Sequence, residues 1–119
     1  RMYQNAGVEI YAFRLANVNA ATTDQEWEYF FNTAKALGAN QITMELPADS
    51  KLTERFGDLA QKHRIMIGYH NHLQVNYHSW DTALAQSKVN GSNFDVGHFA
   101  AATSESPIPF IKEHHDRIT

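Results

Sequence analysis

Apolar positions along the chain follow two different periods. Short runs rich in β-branched and aromatic residues, Val8 to Phe13, Gln41 to Leu46 and Ile65 to His70, have the length and content of strands. Between them Trp27, Phe30, Phe31, Ala34 and Leu37 recur at helical spacing, and so do Leu52, Phe56, Leu59 and Ala60. Arg1 to Ala6 reads as the tail of a helix closed by Gly7. Thr23 with Glu26 three residues on forms a capping box, Gly38 ends the first long helix, and Asp49 or Ser50 caps the second. Ser79 is expected to cap a short helix carrying Trp80, Ala83 and Leu84, with Asn90-Gly91 as the turn that ends it. A further strand is then expected around Asn93 and Phe94, followed by a small-residue loop from Phe99 to Ser106. Pro107 suits the first turn of a last helix, in which Ile108, Phe110 and Ile111 face inward. Arg117-Ile118-Thr119 reads as the opening of one more strand.

Strands alternating with helices at this spacing predict βαβ units and a parallel sheet. Right-handed crossovers bring every strand's C-terminal end to one edge. A doubly wound sheet and a (β/α)8 TIM barrel both fit. No Gly-rich phosphate loop follows any strand, which weighs against a nucleotide-binding sheet. With 119 residues against the about 250 of a whole barrel, the expectation is one domain, residues 1–119, covering four to five β/α units. A half-barrel leaves sheet edges open, so self-association into a homo-oligomer is part of this picture.

Composition narrows the chemistry. There is no cysteine, so disulfides and thiolate metal sites are excluded. The net charge of −3, with no basic run, carries no electrostatic footprint for nucleic acid. No stretch approaches the roughly 18 apolar residues of a membrane helix. No signal peptide is visible at Arg1; a cytoplasmic setting is favoured, and a periplasmic one follows if a leader has been removed.

Seven histidines are unevenly placed, and the strand ends decide which of them matter. Those ends carry Arg14, Glu45, His70, Asn71, His72, Asp95 and His98. On an extended chain His70 and His72 share a face. Imidazole and carboxylate together suit a divalent ion such as Mn, Mg, Co or Zn. Such an ion polarises a carbonyl and stabilises an enediolate. His63, at a helix end, is expected to be structural, and His78, His114 and His115 to be solvated.

Ile67-Gly68-Tyr69-His70-Asn71-His72, followed by Phe94-Asp95-Val96-Gly97-His98, resembles the sugar phosphate isomerase/epimerase family of the xylose isomerase-like TIM-barrel superfamily. The resemblance spans the order of strands and helices over essentially the whole chain and implies about the middle half of a barrel. It implies Asp95 as a metal ligand and His98 as a histidine that binds substrate in the epimerases and metal in related nucleases. His70 falls where many members place a Glu that is both ligand and acid/base, so His70 is a candidate for metal and for catalysis. Glu45 is a candidate acid/base, and His72 and Asn71 are candidate substrate contacts. A further His and a later Glu ligand would lie beyond Thr119. The activity implied is metal-dependent isomerisation or epimerisation of a small sugar, through proton transfer next to a carbonyl. The His at position 70 keeps a one-base lyase or dehydratase on a keto-sugar or inosose in view. A non-catalytic sugar-binding relative is the third alternative. A nuclease needs more ligands and a less acidic chain.

Overall fold

Thr23, Asp49 and Asp95 each stand in extended backbone and accept a backbone N–H of the helix they precede, so three helix starts are set by side chains. In the computed structural model, which describes residues 2–119, they open α2 (Asp24–Leu37), α3 (Ser50–His63) and α5 (Val96–Thr103). The remaining helices are α1 (Met2–Asn5), α4 (Asp81–Gln86) and α6 (Ile108–His114), the last followed by a 3-10 turn at His115–Arg117. Thr23 and Glu26 form the reciprocal capping box, and Gly38 takes the left-handed conformation that ends α2. Arg1, the expected start of the first helix, lies outside the described residues.

Four strands, β1 (Ala12–Arg14), β2 (Gln41–Glu45), β3 (Met66–His70) and β4 (Asn90–Asn93), form one parallel sheet in that order. The chain is thus an α/β assembly of four parallel β/α units, and Ile118 begins a fifth pairing through a parallel bridge to Ser92. Register places Glu45 opposite His70, and His70 opposite Asn93, so the polar ends line up at one edge.

Under the sheet lies the core. Trp27, Phe31 and Ala34 of α2 and Phe56 and Ala60 of α3 are buried with Ile42, Met44, Ile67 and Tyr69 of the central strands. Trp27 and Phe56 meet with ring centroids 4.6 Å apart. A second aromatic group, Trp80, Phe94, Phe99 and Phe110, packs α4 to α6 together. His63 is structural as expected: it is buried, stacks on Phe31 at 4.5 Å and faces Glu28 at 3.2 Å.

Several expected boundaries are corrected. The first strand starts at Ala12, because Val8 and Tyr11 are exposed and unpaired with β2. Ser79 does not cap α4: its hydroxyl accepts from the Asn76 N–H and closes the preceding turn, while Trp80 precedes the helix without a side-chain cap. Asn90-Gly91 is no turn but the opening of β4, which ends at Asn93, before Phe94. Phe99 to Thr103 is helical, since Asp95 caps α5 and the small residues Ala100 to Ala102 propagate it. Ile108 and Leu37 lie at exposed positions, whereas Phe110 is fully buried.

Candidate metal centre

His70 ends β3, and the chain stays extended enough for His72 to rise beside it, with ring centroids 4.8 Å apart. His98 enters from the first turn of α5, 4.8 Å from the His72 ring and 6.0 Å from the His70 ring. One ring nitrogen from each of the three lies within 4.8 Å of the others, and this is the metal-competent cluster among the described residues. The backbone that brings them together is set by Asn71. Its side chain is fully buried, donates to the Asp95 carbonyl at 3.1 Å and accepts from the Asp95 N–H at 2.8 Å. That pair of bonds ties the end of β3 to the start of α5.

In each ring Nδ1 also faces an oxygen. His70 Nδ1 faces the Asn93 carbonyl at 3.3 Å and its side-chain oxygen at 3.2 Å. His98 Nδ1 faces the Asn71 carbonyl at 3.1 Å. His72 Nδ1 lies 2.9 Å from Glu45 Oε2. Oxygens of carbonyls and carboxylates only accept, so each Nδ1 carries a proton, and in the neutral ring the lone pair then falls to Nε2. An imidazole whose far nitrogen is bonded to oxygen is the usual form of a metal-ligating histidine. Three such rings without thiolate fit a borderline divalent ion such as Zn or Co.

The carboxylates stand around this cluster. Asp95 Oδ1 caps α5 by accepting from the His98 N–H at 2.8 Å, and Oδ2 lies 3.4 Å from His98 Nδ1. The backbone N–H of His98 foremost, with the nearby imidazoles, holds the Asp95 carboxyl below its usual range. Glu45 points to the site side of the sheet, where Oε1 accepts from Arg14 at 2.9 Å. Arg14 is therefore engaged by a carboxylate of the chain itself. His78 pairs with Asp81 on the surface, His115 is exposed, and His114, expected to be solvated, packs half-buried against Phe110.

The grouping of His72 and His98 with His70 was legible only in part. Strand alternation joined His70 to His72, but His98 joins through the α5 cap, which pattern reading placed in a strand and loop. A cavity of about 570 Å³ lies elsewhere, lined by Tyr3, Val8, Tyr11 and Leu37 at the N-terminal end of β1. It holds no cluster of candidate ligands, so the strand C-termini remain the chemically competent region.

No protein-family model and no curated protein matches the chain. Among solved structures, the crystal structure of a xylose isomerase domain protein from Planctomyces limnophilus is similar, with a TM-score of 0.74 over 99% of this chain and 11% sequence identity. The chain spans 54% of that structure's length. It therefore has the fold of about half of a xylose isomerase-like TIM barrel, and at this identity the likeness is one of fold. Among the described residues no helix is long and apolar enough to cross a membrane.

Proposed function

We propose that the chain supplies the metal-holding part of a sugar isomerase- or epimerase-like enzyme, one that shifts a proton next to the carbonyl of a small sugar. The observation that carries this reading is the convergence of His70, His72 and His98 at the C-terminal edge of the sheet, each with Nδ1 turned to an oxygen. When bound, a divalent ion there supplies a Lewis acid for the substrate carbonyl. Residues 1–119 act in this reading as a single partial barrel domain, in which the strand ends form one wall of the site.

A ring nitrogen cannot hold an ion and accept a proton at once. His70 is therefore assigned to the ion and not to the proton. Two carboxylates remain at the rim, Glu45 and Asp95. Both oxygens of Glu45 are engaged, with Arg14 and with His72. Asp95 keeps Oδ2 outside the helix cap, 3.4 Å from His98 Nδ1 and on the rim of the site. Asp95 Oδ2 is assigned to take the proton. One base suffices to move a proton between neighbouring carbons, and it suffices equally for elimination. Asp95 is the one of the two carboxylates outside an Arg pair, and a single base favours a keto-sugar lyase or dehydratase as second reading over two-base epimerisation.

The test is metal content of the protein beside His98→Ala and Asp95→Asn, with α-proton exchange on a panel of ketoses in D2O. One stoichiometric ion lost in His98→Ala, with exchange lost in Asp95→Asn while the ion stays, is expected. Conserved product mass marks an isomerase, and loss of water a dehydratase. Sugar binding with neither ion nor exchange would instead assign a binding protein.

A further inference from the structure

His70 and His98 are aimed by main-chain carbonyls, those of Asn93 and Asn71. His72 is the exception. It follows the end of β3 in a loop, its side chain is 48% exposed, and the oxygen facing its Nδ1 belongs to a side chain, Glu45 Oε2 at 2.9 Å. Glu45 is held in turn by Arg14, which donates to Oε1 at 2.9 Å. The three residues come from the ends of β1 and β2 and from the loop after β3. They form a short line of contacts across the mouth of the site.

Resting on the reading of the three histidines as a metal centre, we propose that Glu45 is a positioning residue. It holds His72 in the Nδ1–H tautomer so that Nε2 is presented as a donor, and Arg14 fixes Glu45 for that task. The proton position on a neutral imidazole is set by the bond its other nitrogen makes. Removing that bond lets the proton occupy Nε2 for part of the time and lets the ring turn away. Carboxylates behind metal-ligating histidines act in this way, and their loss weakens metal affinity about 10–100-fold. Stability does not account for the arrangement. The Arg14–Glu45 pair is 58% and 44% exposed, and pairs that open to water add about 0–1 kcal/mol to folding. The same exposure lets Glu45 variants fold, so their metal and spectroscopic readouts stay interpretable.

The experiment records long-range 1H–15N spectra of the metal-free protein near pH 8.5, about two units above the ordinary imidazole value. Zn2+ is then titrated against a competing chelator, for wild type, Glu45→Gln, Glu45→Ala and Arg14→Ala. The wild type is expected to show His72 protonated at Nδ1. Glu45→Gln offers one accepting oxygen to two donors, Arg14 and His72, and should retain that signature and the Zn2+ affinity only in part. Glu45→Ala should give a mixed tautomer and a Zn2+ affinity lower by about 10–100-fold, with Arg14→Ala between the two. An unchanged His72 tautomer and unchanged Zn2+ affinity in Glu45→Ala would overturn the proposal. So would loss of α-proton exchange in Glu45→Gln at full Zn2+ occupancy, which would make Glu45 the group that moves the proton. A tautomer that shifts as expected in a protein that binds no Zn2+ at all would support the Glu45–His72 coupling and remove the metal reading instead.

Discussion

β3 and β4 lie side by side in the sheet and are equally inaccessible along most of their length, yet they are written in different alphabets. β3 runs Met66-Ile67-Gly68-Tyr69-His70, an apolar strand with a polar end. β4 runs Asn90-Gly91-Ser92-Asn93, without one sizeable apolar side chain. Ile67 and its ladder partner Asn90 are both fully buried. Ile67 is held by removal of apolar surface from water. Asn90 is held by satisfaction: its Nδ2 donates to the Thr53 and Ala83 carbonyls at 3.1 and 2.8 Å, and Tyr69 Oη lies 3.3 Å from its Oδ1. Burial also pushes the Tyr69 hydroxyl far above its usual range, which keeps it neutral within that group. A buried strand can thus be built from polar residues where neighbouring helices offer carbonyls to it, here those of Thr53 in the first turn of α3 and Ala83 in α4.

Substitutions test this contrast from the largest effect downward. Ile67→Ala should cost about 2–5 kcal/mol in urea unfolding, whereas Ile67→Leu, with volume kept, should cost under about 1.5 kcal/mol. For Asn90 the rule inverts. Asn90→Leu keeps volume but removes the buried donor that serves the Ala83 and Thr53 carbonyls, and should cost about 1–3 kcal/mol. Equal tolerance of leucine at both positions would erase the distinction. Gly91→Ala comes next. A Cβ there would lie 2.7 Å from the Arg117 carbonyl and from Thr119 Cγ2, so the C-terminal segment must move, at about 1–3 kcal/mol. Loss of protection confined to residues after Arg117 in hydrogen exchange would locate the change.

The smallest effect is on acid stability. The backbone N–H of Thr23 holds the Glu26 carboxyl below its usual value, as that of His98 does for Asp95. A depressed folded value means stability that is fully present above the unfolded pKa, about 4.3 for Glu, and lost as pH falls through the lower folded value. The thermal midpoint should stay level from neutral pH to about 5 and then decline. Glu26→Gln should flatten part of that decline and leave the neutral region nearly unchanged. An identical acid limb in wild type and variant would show that the capping box contributes nothing to it.

The two strands also differ in legibility. The Ile65 to His70 run announces itself by apolar content, and the pairing of Glu45, His70 and Asn93 at one edge follows from parallel strands. Asn90-Gly91 carries the signature of a turn, and local propensity has no way to know that carbonyls of α3 and α4 face Asn90 in the fold. The misplacement of β4 moved Asp95 from helix cap to strand end, and with it His98. Asp95 stood out in the sequence for its chemistry, while its geometric task as the cap of α5 needed the fold.

What the amino-acid pattern settled by itself is the alternation of strand and helix, the caps at Thr23 and Gly38, a helix start at Asp49 or Ser50, and the gathering of His, Glu and Asp at one sheet edge. These rest on short-range physics: side-chain periodicity, local hydrogen bonds and the handedness of crossovers. Tertiary structure alone decided that Asn90 is core, that Asn71 joins β3 to α5, and that His70, His72 and His98 come together with Nδ1 toward oxygen. Each of those depends on which backbone carbonyl or carboxylate stands opposite across the chain, and that is a property of packing that no neighbouring residue encodes.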